Sequence, residues 1–363
     1  MDSLRILIIG AGAIGCFVGG KLASAGHAVT LVGRARTASA LQARGLELYA
    51  ADSAVERVPS VSAVASVQEA FPGPYDIAVL AVKSYDTATV LDEMAAAAAE
   101  PPPAILSLQN GVGNEEEIAA RFGPQRVIAG TITAPVEVRE PGVVQVTKPK
   151  FAVGLADFSP ESEEAGGNTH SSLLTPLSSS FSSAGLPTKV YNDAHSMKWS
   201  KLLMNMIGNA TSAILAEPPA ITFADPRIAD LEIDALREAL RVMAAAGIRP
   251  LNVEKYPLRT LAPLLRFGPR LLLRSALHRV VGGARGGKMP SLFLDLESGK
   301  RGSEVGWYNG AIVRKGLEVG IETPINRLLT ETVQQLAAES SLRPGWRGNF
   351  EQLAAAARGE AGA

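Results

Sequence analysis

The sequence has almost none of the residues that stabilise disulfide-rich or metal-binding proteins. Cys16 is the one cysteine among 363 residues, so no disulfide can form within the chain. Unpaired cysteine is typical of a reducing compartment, and we expect a cytoplasmic protein. The four histidines are scattered singly, without the spacing of metal ligands, so we expect no metal site.

Long hydrophobic runs and an excess of one charge are also missing. The N-terminal apolar run is broken by glycines and ends at Lys21, and no other run is long enough to cross a bilayer. Asp2 stands where a signal peptide carries positive charge, so we expect no signal peptide. Lys plus Arg total 35 and Asp plus Glu total 36, which argues against a general nucleic-acid-binding protein. Hydrophobic residues make up 47%, which is enough for a substantial core.

The first part of the chain alternates between strand and helix patterns. Leu4 to Ile9 is a short apolar run, as in a strand buried on both faces, and a helical pattern follows it up to Gly26. The same alternation continues, with strands expected at 28–32, 76–82, 104–108 and 126–132 and helices at about 86–99 and 113–122. This pattern predicts an α/β domain with a Rossmann-type, doubly wound parallel sheet.

The rest of the chain predicts a second, all-α domain. Residues 135–155 look hairpin-like around Pro141-Gly142, and we expect a polar surface loop at 157–172. A helix at about 171–184 and a strand at 187–191 then complete the first domain, 1–190. Helical patterns then dominate, and we predict a helical domain at 191–345 and a frayed tail at 346–363.

Residues 257–288 form a Leu-rich segment with regularly spaced arginines. One interpretation is a helical insertion with an apolar inner face and a basic outer face. The other is a helix that binds a membrane surface or a partner. The sequence does not decide between them.

Gly10, Gly12 and Gly15 form a G-x-G-x-x-G motif between the first strand and the helix opened by Ala13 and Ile14. The first glycine permits a tight turn, the second lets the backbone approach a pyrophosphate, and the third allows close helix–strand packing. These five residues are therefore candidates for binding a dinucleotide at a helix N-terminus. The alternative is a loop that merely turns.

The second strand ends in Gly33-Arg34-Ala35-Arg36, where an NAD-binding protein usually carries a carboxylate. A guanidinium favours a 2′-phosphate, so Arg34 predicts NADPH/NADP+ as the cofactor. The alternative is that both arginines are ordinary surface charges.

Polar residues follow two further strands and recur in one later helix. Lys83 and Asn110 each come after a predicted strand, at the edge of the sheet where ligands bind, although Asn-Gly is also a common turn pair. Lys201, Asn205 and Asn209 recur every four residues, which predicts one helix face. Lys198 and Ser212 extend that stripe, so a solvent-facing side of the helix is the alternative.

Several separate motifs occur in an order that resembles the ketopantoate reductase (2-dehydropantoate 2-reductase) family. They are GAGAIG at 10–15, VKS at 82–84, QNGVG at 109–113, KWSKLLMN at 198–205 with Asn209, PSLFLDLESGKRGSEV at 290–305, NG at 309–310 and TPIN at 323–326. The resemblance covers most of the chain, apart from 257–288 and the tail. It implies NADPH-dependent reduction of a 2-oxo acid, with 2-dehydropantoate as substrate, pantoate as product and a role in pantothenate biosynthesis.

The resemblance also implies a role for each site residue. Lys201 corresponds to the family's general acid toward the keto oxygen, and Glu304 to its acidic partner, although an acid that follows Ser303 also stabilises a helix start by itself. Lys83 and Asn110 correspond to cofactor-binding residues near the nicotinamide, and Arg34 corresponds to the residue that binds the 2′-phosphate. The residues that correspond to substrate contacts are Asn110, Asn205, Asn209 and Ser291. In such an enzyme the substrate lies in a cleft between the domains.

Two departures from the family pattern fall on the substrate side. Gly306 stands where relatives often carry a second acid, and Pro218-Pro219 where a further asparagine is expected. Another branched or bulky 2-oxo acid is therefore an alternative substrate, and a non-catalytic NADP-binding sensor is an alternative function. The sequence leaves the oligomeric state open, and a homodimer is compatible with it.

Overall fold

The computed structural model describes residues 3–51, 54–58, 61–71, 73–98, 100, 102, 104–159, 174–253, 256–285, 287–299 and 302–360. The chain divides into two compact units, Met1–Lys198 and Trp199–Ala363, a later division than the boundary after residue 190 that we expect from the sequence. Most of the polar segment at 157–172 lies outside the described residues. None of the helices in the described ranges has the length and apolar character needed to span a membrane.

In the described residues of the first unit, twelve strands form two sheets. They are β1 Arg5–Ile9, β2 Ala28–Val32, β3 Leu46–Tyr49, β4 Val55–Val58, β5 Ser62–Val64, β6 Ile77–Leu80, β7 Ala104–Ser107, β8 Val127–Ile132, β9 Val136–Glu140, β10 Val143–Val146, β11 Val153–Asp157 and β12 Thr188–Val190. The main sheet has the order β12-β11-β8-β7-β6-β1-β2-β5. Its neighbours pair in parallel except β11 with β8. The predicted doubly wound parallel sheet is confirmed, and the antiparallel pairing of β11 with β8 is a departure that the sequence did not predict.

Both faces of this sheet are covered, which is why its central strands are continuously apolar. Because side chains alternate along a strand, Ile6 and Ile8 enter one core cluster, and Leu7 and Ile9 enter the other. The helices of this unit are α1 Ala13–Ser24, α2 Ala35–Arg44, α3 Val67–Ala70, α4 Thr87–Ala97, α5 Asn114–Phe122 and α6 Leu174–Ser183.

A second, four-stranded sheet with the order β4-β3-β10-β9 packs beside α1. The expected hairpin is confirmed, because β9 and β10 are antiparallel and joined by Pro141-Gly142, with Gly142 at φ +80°. Strands β3 and β4 were not predicted, since LELY and VERV are short and carry charges. Gly20 of α1 permits close packing here, since a Cβ would lie 2.7 Å from the Leu46 side chain.

Besides one isolated β-bridge between Val253 and Tyr256, the described residues of the second unit form helices. They are α7 Ala194–Met206, which begins in the first unit, α8 Asn209–Leu215, α9 Pro219–Thr222, α10 Pro226–Ala245, α11 Leu258–Phe267, α12 Arg270–Arg285, α13 Ser291–Glu297, α14 Asn309–Val319, α15 Pro324–Ala338, α16 Arg343–Trp346 and α17 Phe350–Ala357. The Asp225 side chain accepts a hydrogen bond from Arg227 N and caps α10, and Pro226 is the first residue of that helix.

The expectation of a frayed tail at 346–363 is wrong for most of that segment. Asn349 caps α17 by accepting a hydrogen bond from Gln352 N, and Leu353 is fully buried. The alanine run at 354–357 is a strong helix-forming sequence. Residues 361–363 lie outside the described part of the chain.

Candidate active site

The glycine motif forms the turn between β1 and α1, and each glycine has a different environment. The N–H groups of Gly10 and Ala11 both donate to Val32 O, at 2.9 Å, so the turn is fixed to the end of β2. Gly10 has φ +115°, and a Cβ there would lie 2.7 Å from the backbone of Ala81. A Cβ on Gly15 would lie 2.0 Å from Gly10 O. Gly10 and Gly15 are therefore required by the fold itself.

Gly12 differs, because a Cβ there would meet nothing within 4 Å. Its backbone borders open space at the start of α1. Among the described residues of that first turn there is no acidic side chain, and no side chain caps the helix. An uncapped helix start beside open space is suited to a pyrophosphate. This local geometry fits the dinucleotide that the motif predicts.

Arg34 and Arg36 lie next to this turn, at the start of α2. Gly33 allows the end of β2 to lie close to the glycine turn, since a Cβ added at Gly33 would lie 2.7 Å from Ala11 Cβ. Arg34 is the N-cap residue of α2, and the first turn of α2 has no acidic residue. Both arginines are exposed. Two guanidinium groups and a helix N-terminus therefore make a positive end to β2.

A hydrogen-bond network joins the loops after β6 and β7, which carry Lys83 and Asn110. Gln109 Nε2 donates to Thr87 Oγ1 at 2.8 Å and to Val82 O at 3.2 Å. Two side chains donate to the carbonyl of Asn110, namely Asn114 Nδ2 and Ser84 Oγ, each at 3.1 Å. Asn114 Nδ2 also donates to Ser84 Oγ at 3.2 Å. The side chains of this network are buried. The loop of Lys83 and the loop of Asn110 are thus held together at the carboxyl edge of the sheet.

The network ends in a buried ion pair that the sequence analysis missed. Lys198 Nζ lies 2.8 Å from Glu115 Oε1 and donates to Gln109 O at 2.7 Å and to Gly130 O at 3.2 Å. Burial raises the pKa of Glu115, and the positive charge of Lys198 opposes that shift. The sequence signal is a lysine inside an otherwise apolar helix, which extends the polar stripe whose alternative interpretation is a solvent-facing side. Lys198 instead ties the start of α7 to the loop that carries Asn110.

The prediction that Lys201, Asn205 and Asn209 share one helix face is wrong for Asn209. Helix α7 ends at Met206, and Asn209 begins α8 after Gly208, which has φ +63°. Glu232 fixes this break, because it accepts hydrogen bonds from Gly208 N at 3.1 Å and from Thr211 Oγ1 at 2.6 Å. The solvent-face alternative is also wrong. The stripe is mostly buried, as in Lys198, Lys201, Asn209 and Ser212.

Three of the predicted substrate residues come together in the second unit. Asn209 Nδ2 donates to Asn205 O at 3.1 Å and to Ser291 Oγ at 3.3 Å, and Asn209 Oδ1 accepts from Leu292 N at 3.1 Å. These bonds use both amide protons and one lone pair of Asn209. Its side chain therefore positions Ser291 at the start of α13.

The two predicted catalytic residues of the second unit are both buried. Lys201 lies on α7, one turn before Asn205. Glu304 is the first residue of a short 3₁₀ helix, Glu304–Trp307, and Ser303 Oγ caps that helix by accepting from Val305 N. Both predicted catalytic side chains are therefore largely shielded from bulk water.

Comparison with known proteins matches both halves of the chain to one family. Residues 6–159 match the family model described as "Ketopantoate reductase PanE/ApbA", and residues 193–337 match "Ketopantoate reductase PanE/ApbA C terminal". The 2-dehydropantoate 2-reductase of Archaeoglobus fulgidus is 30% identical over 331 residues, which cover 91% of this chain and 97% of that protein.

Solved structures have the same fold. The crystal structure of a PanE/ApbA family ketopantoate reductase from Ralstonia eutropha has a TM-score of 0.75 and 29% identity, covering 92% of this chain and 98% of that one. The ternary structure of D-mandelate dehydrogenase with NADH and anilino(oxo)acetate has a TM-score of 0.74 and 23% identity, covering 93% and 99%. At that identity the second similarity shows the fold alone.

Proposed function

Because the chain belongs to the ketopantoate reductase family of oxidoreductases acting on CH–OH groups, we propose that it reduces 2-dehydropantoate to pantoate with NADPH. The observation that carries the proposal is the nearly full-length similarity to a 2-dehydropantoate 2-reductase, which covers both units. Pantoate formation would serve pantothenate biosynthesis. We also propose a cytoplasmic location, in keeping with the single, buried Cys16.

NADPH is proposed over NADH on the chemistry at the end of β2. Arg34 and Arg36 supply positive charge there, and neither Gly33 nor Ala35 supplies the carboxylate that would bind ribose hydroxyls. The guanidinium of Arg34 would grip the 2′-phosphate, and Gly12, Ala13 and Ile14 would face the pyrophosphate at the start of α1. Gly10 and Gly15 allow the close backbone packing that this turn requires.

The bound nicotinamide would supply a hydride to the carbonyl carbon of the oxo acid. Negative charge then develops on the keto oxygen, and the Lys201 ammonium would stabilise that charge and deliver the proton. A positioned acid of this kind contributes roughly 10²- to 10⁴-fold. Glu304 would orient Lys201 and the substrate. Lys83 and Asn110, which the network of Gln109 and Asn114 holds in place, would contact the nicotinamide and the substrate.

The substrate carboxylate would be held from the helical unit. Ser291 sits at the start of α13, where the N-terminal backbone of the helix favours an anion. Asn205 would contact the substrate, and Asn209 would act mainly by holding Ser291 and Leu292. This division of roles follows from the bonds that the Asn209 amide already makes.

Reduction of a different branched or bulky 2-oxo acid is a second candidate. Gly306 lacks the second acid found in many relatives, although an added Cβ there would meet only Gln334 Nε2, at 3.8 Å. Pro219 opens the short helix α9 where a further asparagine is expected. Both changes would alter substrate choice and leave the cofactor side intact. A non-catalytic NADP-binding sensor is the third candidate.

A panel of 2-oxo acids separates these candidates. We would measure kcat/KM for 2-dehydropantoate, 2-oxoisovalerate and phenylglyoxylate, each with NADPH and with NADH, by the loss of reduced cofactor. The proposal expects the highest kcat/KM with 2-dehydropantoate and NADPH. A higher value for another acid would establish the second candidate. Tight NADPH binding without turnover of any acid would establish the sensor.

A further inference from the structure

The corner between α11 and α12 exposes an unusual amount of apolar surface. Five of the eleven large hydrophobic side chains that are exposed in the described residues lie between 258 and 272. Phe267, Leu271 and Leu272 have exposed fractions of 76, 75 and 62%. We call Leu264, Phe267, Leu271 and Leu272 the apolar corner. Contiguous exposed apolar residues on a soluble domain commonly mark an interaction site.

The core of the second unit does not need these residues. Helix α12 has a separate inner stripe of Leu273, Leu277 and Val281, which packs against Ala229 and Ile233 of α10. Four-residue spacing places this stripe on one face of the helix. Leu271 and Leu272 point away from it. The apolar corner is therefore additional to the packing that holds α12.

Specific polar bonds fix the corner in position. Arg237 of α10 donates to Gly268 O at 2.6 Å and to Leu265 O at 3.2 Å, which satisfies carbonyls at the end of α11. Arg270 pairs with Asp234 at 2.6 Å, and Arg274 Nε donates to Asp230 at 2.7 Å. These bonds order the backbone of the apolar corner when the protein folds. Binding through the corner therefore does not have to order that backbone again.

The segment that carries the corner has an excess of positive charge. Residues 257–288 contain six arginines, one lysine and no acidic residue. Arg270 and Arg274 are neutralised by α10, whereas Arg259, Arg266 and Arg279 form no ion pair within the part of the chain that the structure describes. Arg266 also lies over the Phe267 ring, 5.0 Å from its centroid. We call Arg259, Arg266 and Arg279 the basic rim.

Exposed apolar side chains on a segment that also carries arginines without an ion-pair partner are complementary to an anionic lipid surface. A second copy whose apolar corner packed against this one across a two-fold axis would bring the two basic rims together, and their charges would repel. Residues that are three-quarters exposed at a helix corner also protrude, whereas peptide-binding sites are concave. We propose that the apolar corner inserts into the interfacial region of an anionic membrane, with the basic rim on the lipid phosphates.

Vesicle flotation of the full-length protein tests this proposal. We would compare vesicles of phosphatidylcholine alone with vesicles that also contain phosphatidylglycerol, at low and at physiological salt. The expected result is binding to the anionic vesicles only, weaker at physiological salt because the Debye length shortens from about 30 Å to about 8 Å. Leu271→Ser/Leu272→Ser should weaken binding about tenfold or more. Arg266→Gln/Arg279→Gln should weaken it by about fivefold for each charge removed.

Matched controls come from helices α14 and α15 of the same unit. Leu317→Ser removes a leucine that is 69% exposed, and Arg327→Gln removes an exposed arginine, and neither lies in 257–288. Both should bind vesicles like the wild type, and all variants should keep their melting temperature. No binding to anionic vesicles at low salt would overturn the proposal. Equal loss in the controls would overturn it too. The proposal would also be overturned if the wild type were a dimer and Leu271→Ser/Leu272→Ser converted it to a monomer. A second copy of the chain would then cover the apolar corner.

Discussion

The ammonium group of Lys198 lies 2.8 Å from Glu115 Oε1, and both side chains are buried. Glu115 lies in the first turn of α5, and Lys198 also binds the carbonyl of Gln109, the residue before Asn110. One lysine therefore joins α7, α5 and the loop that we propose contacts the nicotinamide. A buried ion pair is weak support for stability by itself, but losing one partner is costly because the other charge remains buried.

We expect Lys198→Met to lower the free energy of unfolding by roughly 3–5 kcal/mol, because Glu115 would be left buried without a counter-charge. The double variant Lys198→Met/Glu115→Met should recover the part of that loss that comes from the isolated charge, while the carbonyls of Gln109 and Gly130 still lack their donor. Urea denaturation of the single and double variants measures both values. Additive losses in the double variant would contradict an energetic coupling between the two residues.

The two glycines at the start of α1 should respond differently to alanine. Gly12→Ala places a methyl group in open space, so the melting temperature should be unchanged while the Kd for NADPH rises at least about tenfold by obstruction of the pyrophosphate. Gly15→Ala should destabilise the fold, because its Cβ would lie 2.0 Å from Gly10 O. Calorimetry and thermal unfolding of both variants provide the comparison. An unchanged Kd in Gly12→Ala would place the pyrophosphate elsewhere.

Replacement of Arg34 by alanine should change cofactor preference. Loss of a charge-assisted contact to the 2′-phosphate costs roughly 1.5–3 kcal/mol, or about 10- to 100-fold in the Kd for NADPH. The Kd for NADH should change little, since NADH has no 2′-phosphate. Arg44→Ala is a matched control, as Arg44 lies at the other end of α2. Equal weakening of both cofactors would contradict a role for Arg34 at the 2′-phosphate.

Cys16 should be chemically inert in the folded protein. It is buried in α1, and burial raises the pKa of its thiol to about 12. At pH 8 only about one thiol in 10⁴ would be ionised, compared with roughly a quarter for an unperturbed thiol. The thiol ionises at a lower pH in the unfolded chain than in the folded protein. The free energy of unfolding therefore falls as the pH rises from about 8.5 through 12. Alkylation with iodoacetamide should be slow in buffer and rapid in guanidinium chloride. Rapid labelling without denaturant would show that this part of α1 opens.

The main sheet could be predicted from the sequence because its signals are local. Continuous apolar runs such as Leu4 to Ile9 indicated buried strands, and the glycine turn indicated the helix that follows. Strands β3 and β4 could not be predicted in this way, because each is stabilised by pairing with distant or short segments and has little pattern of its own.

The candidate site shows the same limit. The four-residue spacing of Lys201, Asn205 and Asn209 is a helical signal, but the break at Gly208 depends on the carboxylate of Glu232, which lies 24 residues away. The ion pair of Lys198 could not be predicted, because its partners, Glu115 and two backbone carbonyls, are far away in the sequence. Tertiary contacts of this kind override local pattern.

The central claim is that the Lys201 ammonium acts as the acid in reduction of a 2-oxo acid. The most direct test is the kcat of Lys201→Ala with 2-dehydropantoate and NADPH, measured together with the Kd for NADPH. Our account predicts a fall in kcat of about 10²- to 10⁴-fold, with a Kd within about twofold of the wild-type value. A kcat equal to that of the wild type would contradict it.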